Sequence, residues 1–312
     1  MKKLLSLLIA GLLITGCSSA PTTPDSTEGS TTPNTTSSIN VYTRDGSSGT
    51  REAFEGAIGL EELTQNAIEV SSNGDMATKI GNDETGIGYV SLSTDFEANN
   101  IKALSFEGVV PTVETVLDGT YSMQRPFAFV TRATGDFGSD EKEQLVAAFI
   151  DFLQNSTEGM AIVESAHGIV DKTKGTPWAE LAKNHPIVTQ DNSAITLVTA
   201  GSTSVSKTLQ AALEAFQPMA GNFQISMNQT GSGDGYKRVL GEEKDGANAA
   251  DIGFASRNFK TEEDITTAMA TGVYCIDAVV AVVNSANELT NVTKQNLNDI
   301  FAGTVTSFAD VK

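Results

Sequence analysis

Histidine and cysteine are nearly missing: two of each in 312 residues. Without a His/Cys/Asp/Glu cluster at ligand spacing, neither a structural nor a catalytic metal centre is expected, and no cofactor is implied. Cations are also scarce. Lys and Arg total 20 against 39 Asp and Glu, a formal charge of −19, which excludes nucleic acid and leaves anionic lipid an unfavourable surface. That balance does not exclude an anionic small ligand, because screening over roughly 8 Å makes a site depend on its own neighbours. Long apolar runs are absent beyond the first residues, so no membrane span is expected in the body.

The one early apolar run, Leu4 to Ile14 after Lys2 and Lys3, is too short to span a bilayer comfortably and reads as a targeting signal over residues 1–17. It ends in Ile14-Thr15-Gly16-Cys17, which resembles a lipobox and makes Cys17 the expected lipidated N-terminus. An ordinary secretory signal with an incidental cysteine is the alternative. Residues 18–38 are Ser, Thr, Pro, Gly, Asn and acidic, and bury too little to fold, so they read as a tether. Its r.m.s. reach is on the order of 25 Å. Cys275 then has no disulfide partner and reads as a buried structural thiol.

About 270 residues remain, enough for two lobes. β-like runs at Ile39 to Thr43, Gly86 to Leu92, Pro126 to Thr131 and Ile195 to Thr199 alternate with helical patterns from about Arg51, from Asp140 to Leu153 and from Val205 to Phe216. This alternation predicts an α/β fold with a parallel sheet and ligands at the carboxyl ends of its strands. The strand and loop at Ile39 to Thr50 are weakly repeated at Ile195 to Ser204, so each lobe presents one Gly/Ser/Thr loop. The stretch 173–192, with Pro177 and Pro186, reads as a joint.

Helix starts carry unpaired N–H groups and partial positive charge, so hydroxyl-rich loops there suit an anion. Ser48, Gly49 and Thr50 form one such loop; Ser202, Thr203 and Ser204 a second; Thr230 to Gly235, with Ser232, a third, ahead of a helix at Tyr236 to Leu240. Each could also be a plain N-cap. Arg44 ends the first strand beside the first loop, as an anion ligand or in an ion pair with Asp45. Ser204-Val-Ser-Lys207 has the S-x-x-K spacing of penicillin-recognising enzymes, but their companion motifs are absent and no enzyme is expected.

These loops carry a resemblance. Thr43-Arg-Asp-Gly-Ser-Ser-Gly-Thr-Arg51, Ala200-Gly-Ser-Thr-Ser204, Thr230-Gly-Ser232 and Ala250-Asp-Ile-Gly-Phe-Ala-Ser-Arg257 are similar to motifs of the substrate-binding lipoproteins of phosphate ABC transporters. Thr85 to Ser91, Tyr121-Ser-Met-Gln-Arg-Pro126 and Asn298 to Gly303 support it. The resemblance implies a two-lobed type II periplasmic-binding-protein fold that closes over inorganic phosphate and delivers it to a permease. It places such a protein, as a monomer, at the outer face of the cytoplasmic membrane, held there by lipid alone. Sulfate, molybdate or a sensing role without transport are the alternatives. The implied phosphate ligands are Arg44, Ser48, Gly49, Thr50, Ser202, Thr203, Ser204 and Ser232.

Two departures stand out. The Arg44 to Thr50 block ordinarily comes after the block found here from Gly201, so the order resembles a circular permutation. Lobes are then expected at 39–106 plus 284–312, and at 107–283. Many members also carry an acid where this chain has Arg257. A carboxylate there accepts the proton of monohydrogen phosphate, which sulfate lacks. Asp277, at the start of a strand Ala278 to Val283, is the expected substitute, with Asp234 behind it; it could instead cap the strand or pair with Arg257.

Overall fold

The structure, a computed structural model, describes residues 38–311. The first aliphatic run forms β1 (Asn40–Arg44), and Ser48, in extended conformation, accepts the Arg51 backbone N–H to start α1 (Gly49–Ile58). Such a cap satisfies one of the four unpaired donors of a helix start. Gly59 ends the helix in the left-handed region at φ 66°. The pattern recurs in β2 (Ile68–Val70), the Ser72 cap and α2 (Asn73–Gly81), followed by β3 (Gly86–Ser91), β4 (Ile101–Ala103), β5 (Ser105–Phe106) and α3 (Val113–Leu117).

The chain crosses in β6 (Gln124–Thr131) and builds a second unit from α4 (Asp140–Asn155), α5 (Thr157–Ser165), α6 (Trp178–Leu181), β7 (Thr196–Gly201), α7 (Ser206–Phe216), β8 (Gln224–Gln229), α8 (Ser232–Lys237) and β9 (Ile252–Ala255). It returns in β10 (Thr271–Asn284) and continues through β11 (Asn291–Val292) and α9 (Lys294–Ala302).

The sheet order is β2-β1-β3-β10-β6-β9-β7-β8, with β4 also on β10. β1 is parallel to β2 and β3, and β7 to β8 and β9, as expected of strand–helix repeats. The sheet is nonetheless mixed. β6 and β10 run antiparallel to each other and to their other neighbours, because one carries the chain out of the first unit and the other brings it back.

One apolar core gathers Ile39 to Met123 and Ala278 to Phe301, joined by Ile169; a second gathers Phe127 to Cys275. The first core thus draws on more of the chain than the expected lobe segments 39–106 plus 284–312. Residues 107–123 and 278–283 also pack in the first lobe. Tyr121 donates its hydroxyl to the Val279 carbonyl at 2.9 Å, and the Val279 N–H donates to the Met123 carbonyl at 2.9 Å. Segments 39–106 and 284–311 pack together through Phe54, whose ring lies 4.2 Å from Tyr89 and 4.7 Å from Phe301. Removing a buried ring of this kind costs about 3–5 kcal/mol.

Cys275 is a buried free thiol. Cys17, the signal and all of the tether before Ser38 lie outside the described residues, among which no helix is long and apolar enough to cross a membrane.

Candidate functional site

Five strands end at one place. Arg44 closes β1, Ser91 closes β3, Ser202 follows β7, Thr230 follows β8 and Ser256 follows β9. The carboxyl ends of parallel strands are where loops feed helix starts, and here both lobes deliver theirs to a single buried contact. Gly49 and Gly231 make that contact possible. A Cβ on Gly49 would stand 2.3 Å from Ser232 Oγ, and one on Gly231 would stand 2.1 Å from Ser47 Oγ, both across the lobe boundary.

Arg44, 1% exposed, is not the surface ion pair that its neighbour Asp45 allowed. It does pair with Asp45 at 3.1 Å, but Nη1 also crosses to Thr203 Oγ1 at 3.0 Å. Burial alone would raise the Asp45 carboxyl; the Ser47 hydroxyl and N–H, with Arg44, more than offset this and hold it below the usual range. Ser204 Oγ meets Thr50 Oγ1 at 2.8 Å and accepts from Asn73 Nδ2 at 2.8 Å and Arg125 Nη2 at 2.9 Å. Ser256 Oγ accepts from Ser202 Oγ at 2.9 Å and Arg125 Nη1 at 3.2 Å, and meets Ser232 Oγ at 3.2 Å.

Donor counting gives this contact its chemical character. A hydroxyl has one hydrogen and two acceptor sites. Ser204 already accepts twice, so its hydrogen goes to Thr50; Ser256 accepts twice, so its hydrogen goes to Ser232. Thr203 Oγ1 only accepts, from Arg44 and Asn73, and Ser48 Oγ only accepts, from the Arg51 N–H. The hydroxyl hydrogens of Ser48, Thr50, Thr203 and Ser232 thus have no acceptor among the described residues. A buried cluster with surplus donors fits a group that offers only acceptors.

The cluster contains every expected loop. Ser232 differs in setting, because α8 starts at Ser232 itself with Gly231 as its cap, rather than after Gly235. Asp277 is likewise not at a strand start. It sits in the middle of β10, in register with Arg125 on β6, and is 1% exposed. Arg125 Nε and Nη2 donate to its Oδ2 at 3.0 and 2.8 Å, and Ser91 Oγ donates to its Oδ1 at 2.8 Å. Burial pushes the Asp277 carboxyl up and Arg125 opposes that. Arg257 does not pair with Asp277: it holds Glu263 through two bonds, at 2.7 and 2.8 Å, and lies 3.1 Å from Glu52. Asp234 accepts from Thr230 and faces Arg238 at 3.6 Å.

Asn73, Ser91, Arg125 and Ser256 belong to the cluster and were not among the expected ligands. The Gln124-Arg125-Pro126 and Ala255-Ser256-Arg257 stretches lay inside motifs already singled out, so position within a motif was the available signal. Lys207 does not activate Ser204; its ammonium donates to the Ser93 carbonyl at 3.2 Å. The neighbouring cleft of about 540 Å³, lined by Ser47, Glu52, Gly233, Lys237, Arg257 and Lys260 among others, lies at the rim of the contact. There Glu52 of α1 faces Arg257 and Lys260 of the other lobe, each at 3.1 Å.

The PBP superfamily domain matches residues 26–157 and 187–311. Phosphate-binding protein PstS 2 of Streptococcus agalactiae serotype V is 30% identical over 324 aligned positions, covering 99% of this chain and 98% of that one. The protein of the same name from Streptococcus pneumoniae serotype 4 is 29% identical over 283 positions, 88% of each chain. The crystal structure of a phosphate ABC transporter phosphate-binding protein from Streptococcus pneumoniae superposes with a TM-score of 0.62 at 28% identity, covering 88% of this chain and 100% of that one.

Proposed function

We propose, from the premise that this chain belongs to the phosphate-binding-protein family within the PBP superfamily, that it captures inorganic phosphate between its two lobes and hands it to an ABC import permease. The family binds its substrate without transforming it. The observation that carries the reading is the surplus of donors where the lobes meet: hydroxyls of Ser48, Thr50, Thr203 and Ser232 and the Arg44 guanidinium, with no acceptor for the hydroxyl hydrogens among the described residues. Phosphate offers acceptors on all four corners. Bound, it takes the place of water for these groups and bridges one lobe to the other, so binding and hinge closure are one event.

On this proposal Arg44, Ser48, Gly49 and Thr50 hold the anion from one side and Ser202, Thr203, Ser204 and Ser232 from the other. Cys17 carries the lipid, the tether lifts the body off the outer face of the cytoplasmic membrane, and the protein works as a monomer. The block order is a permutation of the family's usual one. Supporting it, the Ile39 N–H donates to the Thr306 carbonyl at 2.8 Å, so the two segments a permutation would rejoin are neighbours.

Calorimetric titration of the body from residue 38 onward tests the reading. Wild type should bind phosphate at one saturable site. Arg44→Ala should weaken it by at least about tenfold, the low end of what a charged hydrogen bond contributes. Absence of binding, or a variant that binds as wild type does, rejects the proposal. Displacement of phosphate by equimolar molybdate or sulfate would move the ligand assignment to that ion.

A further inference from the structure

Arg125 is a guanidinium whose surroundings are asymmetric. It is 4% exposed, and its Cζ lies 5.7 Å from the centre of the Phe127 ring. One edge, Nε and Nη2, is fixed on Asp277 Oδ2. The other edge, Nη1 and the second hydrogen of Nη2, points at Ser256 Oγ and Ser204 Oγ, the two hydroxyls that meet Thr50 and the Gly49 position across the lobe boundary. A guanidinium has five N–H hydrogens. Four are used here, which leaves one on Nη1 with no acceptor among the described residues.

Asp277 has the opposite status. Its Oδ2 takes two bonds from Arg125 and its Oδ1 one from Ser91, so all of its nearest partners are protein donors. A carboxylate held this way orients its arginine and is poorly placed to receive a proton from a ligand. Arg44 faces the same cluster of hydroxyls through Thr203, beside the Ser204 and Ser256 that Arg125 holds, so two cations look onto one space and repel each other. An anion between them removes that repulsion.

We infer that Arg125 is a second guanidinium ligand of the bound anion, and that Asp277 is its positioning residue and not the acceptor of the ligand's proton. This rests on the phosphate reading above. The site then attracts an anion by charge and by donor geometry, and the choice between phosphate and sulfate does not run through Asp277. Asp277 acts by holding the Arg125 plane against Phe127 with its free edge toward Ser204 and Ser256.

The test is calorimetry with inorganic phosphate and with sulfate on wild type, Arg125→Lys, Asp277→Asn and the double variant Arg125→Met with Asp277→Leu. Replacing both members of a buried pair by apolar side chains is commonly neutral for stability, so the double variant keeps the question open if a single variant misfolds. Each variant should lose at least about tenfold in phosphate affinity. Asp277→Asn should leave the phosphate-to-sulfate affinity ratio within about threefold of wild type, because both ions lose the same orienting contact. A rise in sulfate relative to phosphate by about tenfold or more in Asp277→Asn would make Asp277 the proton acceptor and overturn the inference. Wild-type phosphate affinity in the double variant would overturn Arg125 as a ligand. No phosphate binding by wild type overturns the phosphate reading itself, and this inference with it; indifferent variants of a protein that binds overturn only the inference.

Discussion

Gly49 has a side-chain hydrogen where any other residue would place a carbon 2.3 Å from Ser232 Oγ and 2.9 Å from Ser256 Oγ. Both serines belong to the other lobe, so the restriction acts on closure and not on α1. Alanine is the better helix former by about 0.8–1 kcal/mol in helix interiors, and Gly49 is the first helical residue, where that gain is smaller. Gly49→Ala should therefore leave the thermal midpoint unchanged or slightly higher while lowering phosphate affinity at least about tenfold, by displacing the hydroxyls that face the anion. A calorimetric titration beside a melting curve separates the two effects, and unchanged affinity would mean that the lobes do not close on this residue. Arg44, Ser48, Gly49 and Thr50 were legible because a strand, a loop and a helix start follow one another without interruption. Arg125, Ser91 and Ser256 stood inside the quoted motifs without being marked as ligands, and Asn73 stood outside them, since each is one polar residue on a different element and topology brings them together.

Among the elements, β1, β3 and β7 and the helices that start after Ser48 and Ser139 follow from alternation, whereas β2 and the Ser72-capped α2 were not read from it. β10 was read short because Asp277 interrupts its apolar pattern, and a charge there looks like a boundary. The register explains it: Asp277 lies opposite Arg125, so the charge is answered across the strand pair instead of ending it. A second carboxylate ties β1 to the turn before β3. Asp83 accepts from Asn40 Nδ2 at 2.8 Å, Tyr42 OH at 2.8 Å and Thr85 Oγ1 at 2.7 Å. Burial would raise its carboxyl, but these donors outweigh burial and hold it below the ordinary 3.8. A depressed folded value stabilises the protein above the unfolded value and loses that contribution as pH falls through the folded one. Urea unfolding should show wild type more stable than Asp83→Asn at neutral pH, with the gap narrowing as pH drops below about 4. A gap independent of pH would show that the ionised form is not what these donors stabilise.

For the whole molecule, a formal charge of −19 surrounds a buried contact that presents Arg44 and Arg125. Composition points away from an anion and the site points toward one, and the site decides because screening confines each charge to its neighbourhood. Two lobes were legible from chain length and from the repeated strand and loop at Ile39 and Ile195. Their boundary was not, because whether 107–123 packs forward or backward depends on Tyr121 and Met123 meeting Val279, more than 150 residues away in sequence. The central claim is that a tetrahedral anion sits where these lobes meet. Arsenate has the shape and ionisation of phosphate, and arsenic scatters anomalously, so a crystal grown with arsenate locates the ligand without bias. One anomalous peak should appear within hydrogen-bonding distance of Arg44, Thr50, Thr203 and Ser232, with the lobes closed around it; a peak elsewhere, or none in the closed protein, would contradict the claim.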